Sequence, residues 1–110
     1  MTEHRLGIAN SGSLVRVGLG DTIVIELDEN PTTGYSWEIQ RVDAGVLSDP
    51  ESEFEFESAH GATGAGGRRR FVCHLIGAGR AEPMLVLRRP WEHPEAAVQR
   101  WEAVVEAAAQ

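Results

Sequence analysis

Cys73 and His74 place a thiol beside a base, the pairing that a cysteine nucleophile needs. They stand in a run that alternates like a β-strand, where neighbours point to opposite faces, so the two cannot meet. Cys73 reads as a small buried hydrophobe. As the single cysteine it excludes an internal disulfide and a multi-thiol metal site. His4, His60, His74 and His93 are scattered, with no HxH or HxxxH pair to begin a metal centre. Glu53, Glu55 and Glu57 share one face of a strand-like run, and three like charges at that spacing read as a solvated face rather than a calcium site. All 10 basic residues are arginine, which excludes Schiff-base chemistry and P-loop nucleotide hydrolysis. The glycine-rich stretch 61–67 lacks the Gly-Lys-Ser/Thr ending of a phosphate loop and has no helical run behind it. Arg68, Arg69 and Arg70 alternate faces and make no single anion patch. Asn30-Pro31-Thr32 is not a glycosylation sequon, because proline holds its middle position. The residues alone therefore point away from an enzyme and call for no cofactor and no metal.

The elements that would carry these residues have a period of two. Ile23, Ile25 and Leu27 alternate with Val24, Glu26 and Asp28. Similar alternation runs through Trp37 and Ile39, Phe54 and Phe56, Phe71, Cys73 and Leu75, and Leu85 and Leu87. Each run should have one buried and one wet face. The pattern predicts strands over 22–28, 36–42, 53–58, 68–76 and 80–88, with 14–17 a further short candidate. Ile23, Ile25, Leu27, Trp37, Ile39, Phe71, Leu75, Leu85 and Leu87 form the expected core. Glycine and proline punctuate the runs, as in an antiparallel sandwich or barrel. The segment 95–110 fits two periods. Val98, Trp101, Val104, Val105 and Ala108 sit at helical spacing amid abundant alanine, while Trp101, Ala103 and Val105 alternate as a strand would. Its local signals favour helix.

The chain has 110 residues, 42% hydrophobic and 25% charged, which suits one domain over 1–110 with a core of its own. A net charge of -7 speaks against a duplex nucleic-acid partner. No run approaches 18 apolar residues, so no membrane span is expected. No apolar run follows the first residues, so a cytosolic protein or a mature form cloned without its leader is expected.

Three stretches between the runs are richer than connections require. In Asn30-Pro31-Thr32-Thr33-Gly34-Tyr35, proline fixes φ, Gly34 permits positive φ, and two threonines expose hydroxyls on a stiff loop. In Gly64-Ala65-Gly66-Gly67, a nearly bare backbone could lie flat against another surface. In Arg89-Pro90-Trp91, a tryptophan between prolines has the composition of a binding anchor.

In this order the three stretches resemble the loop motifs of the chagasin family of cysteine-peptidase inhibitors: Asn-Pro-Thr-Thr-Gly-aromatic at 30–35, Gly-x-Gly-Gly at 64–67 and Arg-Pro-Trp at 89–91. Trp37, two residues past the first motif, also fits. The order and separations hold over essentially the whole chain. The resemblance implies an all-β, immunoglobulin-like antiparallel β-sandwich with the three loops at one end. It also implies a closing C-terminal strand, so 98–107 is expected to be strand despite its local signals. Pro83, inside a strand-like run, suggests an edge or a bulge.

The function implied is reversible, non-covalent inhibition of a papain-like cysteine peptidase. The first loop would enter the cleft over the catalytic cysteine, and the other two would grip the cleft from either side. The peptidase-binding residues implied are Asn30, Pro31, Thr32, Thr33, Gly34, Tyr35, Gly64, Ala65, Gly66, Gly67, Arg89, Pro90 and Trp91. The other reading is an immunoglobulin-like adhesion or binding module without inhibitory activity.

Overall fold

The computed structural model describes residues 1–56 and 66–109. Among the described residues ten strands follow one another: β1 (Glu3–Leu6), β2 (Leu14–Gly18), β3 (Thr22–Glu29), β4 (Ser36–Arg41), β5 (Glu51–Phe56), β6 (Gly67–His74), β7 (Gly79–Ala81), β8 (Met84–Arg88), β9 (Gln99–Glu102) and β10 (Val104–Ala108). Short 3-10 helices at Ile8–Asn10, Pro31–Thr33 and Pro94–Ala96 are the only helical elements among the described residues. The strands form an immunoglobulin-like sandwich. One layer has the order β1-β3-β6-β5; the other is built from β4-β8-β9 and β2-β10-β7. Most pairs are antiparallel, but β1 runs parallel to β3 and β10 parallel to β2, so the sandwich is not antiparallel throughout.

The inward phases found by alternation meet between the layers. Ile23, Ile25, Leu27, Phe71, Cys73 and Leu75 pack against Trp37, Leu85, Trp101, Val105 and Ala107. Ile39 and Leu87, expected in the core, are only partly buried against it. Val24 and Val86, on the opposite phase, are buried as well. The run at Phe54 and Phe56 departs from expectation. Phe56 is 60% exposed, and β5 is the edge of its sheet, so its ring finds an edge-to-face partner in Phe54, 4.9 Å between centroids, rather than a core. Residues 57 and 58 of that expected strand lie outside the described residues.

Two expected strands are each divided. Pro83 separates β7 from β8, and Ala103 separates β9 from β10. The breaks face each other: the Ala103 amide donates to the Pro83 carbonyl at 3.3 Å. Proline cannot donate to a ladder, yet the pairing keeps step across the gap. Counting on in one register from Met84↔Glu102 reaches Ala81↔Val105. These two stretches thus pass together from one sheet of their layer to the other.

The helical signals of 95–110 lose to tertiary packing. Trp101, Ala103, Val105 and Ala107 are all buried in a period of two. Ala103 and Ala107 are small inward residues on either side of Val105, and burial outweighs the modest preference of alanine for helix.

Candidate functional site

The ladders bring the first and third loop sequences, and Gly67 of the second, to one end of the molecule. Glu29 at the end of β3 pairs with Gly67 at the start of β6, and Gly67 pairs with Phe56 at the end of β5. In the other layer, Ser36 at the start of β4 pairs with Arg88 at the end of β8. Loop 30–35, the end of β5 at Phe56, the start of β6 at Gly67 and the loop after Arg88 therefore lie at the same pole. Gly64 and Ala65 lie outside the described residues.

Loop 30–35 is held by its own side chains. Asn30 caps the 3-10 helix: its Oδ1 accepts the Thr32 amide at 3.0 Å and the Thr32 hydroxyl at 2.6 Å. Pro31 takes the first helical position, where its missing N–H costs nothing. The Thr33 hydroxyl donates to the Asn30 carbonyl at 2.7 Å and accepts the Tyr35 amide at 3.2 Å. Gly34 closes the turn at φ 82°, in the left-handed region that glycine enters freely. Pro31, Thr32 and Thr33 are exposed. Both threonines are exposed as expected, and their hydroxyls are in addition engaged within the loop.

The third loop leans on the first. The Arg89 Nε donates to the Thr33 carbonyl at 3.2 Å, and the guanidinium lies 4.4 Å from the centroid of the Tyr35 ring. Trp91 is 72% exposed. Its indole nonetheless lies against Gly34, where a Cβ would fall 2.5 Å from the Trp91 Cη2. The expectation of an exposed tryptophan holds, with the addition that one edge of the ring is seated on the neighbouring loop. Pro90 is exposed beside it.

Gly67 belongs to a different environment. It is buried as the first residue of β6, and a Cβ there would collide with the Glu55 carbonyl and reach within 2.7 Å of the Phe54 ring. Its lack of a side chain serves packing inside the sheet. Gly66, just before it, has no heavy atom of the described residues within 4 Å of where a Cβ would stand.

Two residues at this pole escaped the sequence reading. Glu29 is 5% exposed, and its carboxylate accepts the Trp37 backbone amide at 2.8 Å and the Arg69 Nη2 at 2.9 Å. A signal existed: position 29 continues the inward phase of Ile23, Ile25 and Leu27, and a carboxylate on that phase requires a partner. Arg69 points inward to supply it, while Arg68 and Arg70 face outward. Arg70 pairs with Glu26 and Glu53, each at 2.9 Å, and the guanidinium holds the Glu26 carboxyl below its ordinary range. The three arginines thus divide between faces as alternation requires.

A family model described as chagasin family peptidase inhibitor I42 matches residues 16–105. Chagasin of Trypanosoma cruzi is 30% identical over 111 residues, covering 96% of this chain and 98% of the relative. The crystal structure of EhICP2, a cysteine protease inhibitor from Entamoeba histolytica, matches with a TM-score of 0.89 at 24% identity, covering 98% of this chain and 97% of that one. The structure of PbICP-C in complex with falcipain-2 matches with a TM-score of 0.56 at 18% identity, covering 100% of both chains. These two matches share the fold.

Proposed function

From the premise that the chain belongs to the chagasin family of cysteine-peptidase inhibitors, we propose that it inhibits papain-like cysteine peptidases reversibly by seating its loop pole in the active-site cleft. Loop 30–35 enters the cleft over the catalytic cysteine. The Arg89-Pro90-Trp91 loop grips one side, and the 64–67 motif grips the other. The observation that carries this reading is the joining of the first and third loops by Arg89 and Trp91. A loop whose amides, hydroxyls and carbonyls are already engaged with one another loses little conformational freedom on binding. A tryptophan mostly exposed yet fixed along one edge is suited to burying its free face against a partner.

Obstruction needs no chemistry from the inhibitor. The one thiol, Cys73, is buried, and desolvation pushes it up to about 11, so it forms no bond with a partner. A contact of standard size would cover about 800 Å² on each partner. The capture of falcipain-2 by PbICP-C, a chain of the same fold, supports a peptidase as the partner class.

The test is titration of active papain with the purified protein. Stoichiometric inhibition, relieved on dilution and leaving the papain thiol intact by mass spectrometry, is the expected result. No inhibition at micromolar concentration would favour an immunoglobulin-like binding module.

A further inference from the structure

We propose that Glu29 and Arg69 are positioning residues for loop 30–35, their ion pair fixing the angle at which the loop leaves the sandwich. The proposal rests on the three-loop reading of inhibition. β3 ends at Glu29 in one layer, β4 begins at Ser36 in the other, and the two strands belong to different sheets. The stems of the loop are therefore not held by a ladder, as the stems of a hairpin would be.

Side chains span the gap instead. The Glu29 carboxylate accepts the Trp37 backbone amide at 2.8 Å, and the Trp37 indole N–H donates to the Asp28 carbonyl at 3.0 Å. Each stem thus reaches across to the other. Arg69 then fixes the carboxylate itself, with Nη2 at 2.9 Å and Nε at 3.3 Å from Oε2. The Glu29 side chain is 2% exposed and that of Arg69 25%, so the pair sits where Coulomb attraction is little screened. The same guanidinium donates to the Ser52 Oγ at 3.2 Å and stacks 5.2 Å from the centroid of the Phe54 ring. Arg69 stands on β6, and Ser52 and Phe54 on β5, the two strands that bound the second loop. One buried charge pair therefore references the stem of the first loop to the stems of the second.

Glutamine at position 29 keeps an oxygen for the Trp37 amide but loses the charge that draws Arg69. The loop would then sample several exit angles, and only a fraction of molecules would be competent at any moment. Apparent affinity falls by that fraction. Once the loop is in the cleft the peptidase holds it, so the loss belongs to association and not to dissociation. A merely structural role would instead lower the thermal midpoint and the fraction of active molecules, leaving the association rate of the folded ones unchanged.

The experiment is stopped-flow inhibition of papain by wild type, Glu29→Gln, Arg69→Gln and the double variant, with active-site titration of each. Each single substitution should raise the inhibition constant about tenfold through the association rate, with dissociation changed by less than about twofold. The double variant should be no worse than the weaker single, because both act through one contact. It also leaves no unpaired buried charge and so stays folded if a single variant does not. A wild-type association rate in the double variant, or a loss confined to dissociation, would overturn the proposal. Failure of the wild type to inhibit papain would refute the three-loop reading instead. The brace is then decided by amide spectra: broadened or doubled signals for residues 32–35 in Glu29→Gln support it, and unchanged signals reject it.

Discussion

Trp91 is fixed by one edge and free over the rest of its surface, and that division predicts how its loss behaves. Trp91→Ala should weaken peptidase binding by about 2 kcal/mol or more, roughly thirtyfold, as for other buried tryptophan anchors at interfaces. The thermal midpoint should barely move, because a side chain 72% exposed leaves no cavity in the core. Inhibition constant and midpoint measured on one sample separate the two effects. Gly34→Ala attacks the same contact from the other side. A Cβ there both meets the Trp91 ring and forces an L-residue to φ 82°, a conformation costing about 1–2 kcal/mol. Its inhibition constant should rise together with a modest fall in midpoint, and Trp91→Ala in that background should cost less than alone, because the ring has already been displaced. The three motifs were legible in the sequence because each is contiguous and its residue types are unusual. Glu29 carried a signal in its inward phase, but its pairing with Arg69 was not legible, since that contact joins residues 40 apart.

At the scale of elements, alternation located the strands whose inward phase is apolar and misjudged those shaped by something else. β1 carries one buried residue, Leu6, in the sequence Glu-His-Arg-Leu, and no period can be read from one position. It is held instead by Asp21, whose carboxylate accepts from His4 Nε2 at 2.9 Å and from the amides of Thr2 and Gly18, each at 2.9 Å. Those bonds, the His4 contact first, depress the Asp21 pKa strongly below the ordinary aspartate value. A depressed carboxyl stabilises the fold above its unfolded pKa, near 3.9, and that contribution fades as pH falls through the folded value. Urea midpoints measured from neutral pH down to about pH 2 should therefore decline more steeply below pH 4 in wild type than in Asp21→Asn. At neutral pH the variant should be the less stable of the two. The divisions at Pro83 and Ala103 were legible only in part. Proline announced a disturbance, but nothing in a linear pattern shows that a second strand breaks opposite it.

The whole molecule is a single apolar core closed from both sides, and Cys73 lies inside it at 2% exposure. With its pKa raised to about 11, the thiol is doubly protected. Its modification by a neutral-pH thiol reagent should follow opening of the sandwich. The rate should rise steeply with urea and should be unaffected by Trp91→Ala, since that loop lies outside the core. That the fold is all-β was legible here because most period-two runs and the turn residues between them agreed; the sandwich rather than a barrel came from the family resemblance. The tail was not, because alanine's helix preference is a local property while its burial depends on strands far away in the chain. β10, which lies between β2 and β7 in its sheet, comes after the other nine described strands in the chain. A ribosome delivers both anchored loops, Arg89 and Trp91 included, before the strand that seals the layer beneath them. Val105 and Ala107 must emerge and pair with Val15 and Val17 of β2, made near the start of the chain, a non-local closure of the kind that folds slowly. Nascent chains stalled with residues only to 103 outside the exit tunnel should be degraded readily and inhibit nothing. Chains with residue 108 clear of it should become resistant and inhibitory in the same step, so that during synthesis the activity arrives all at once.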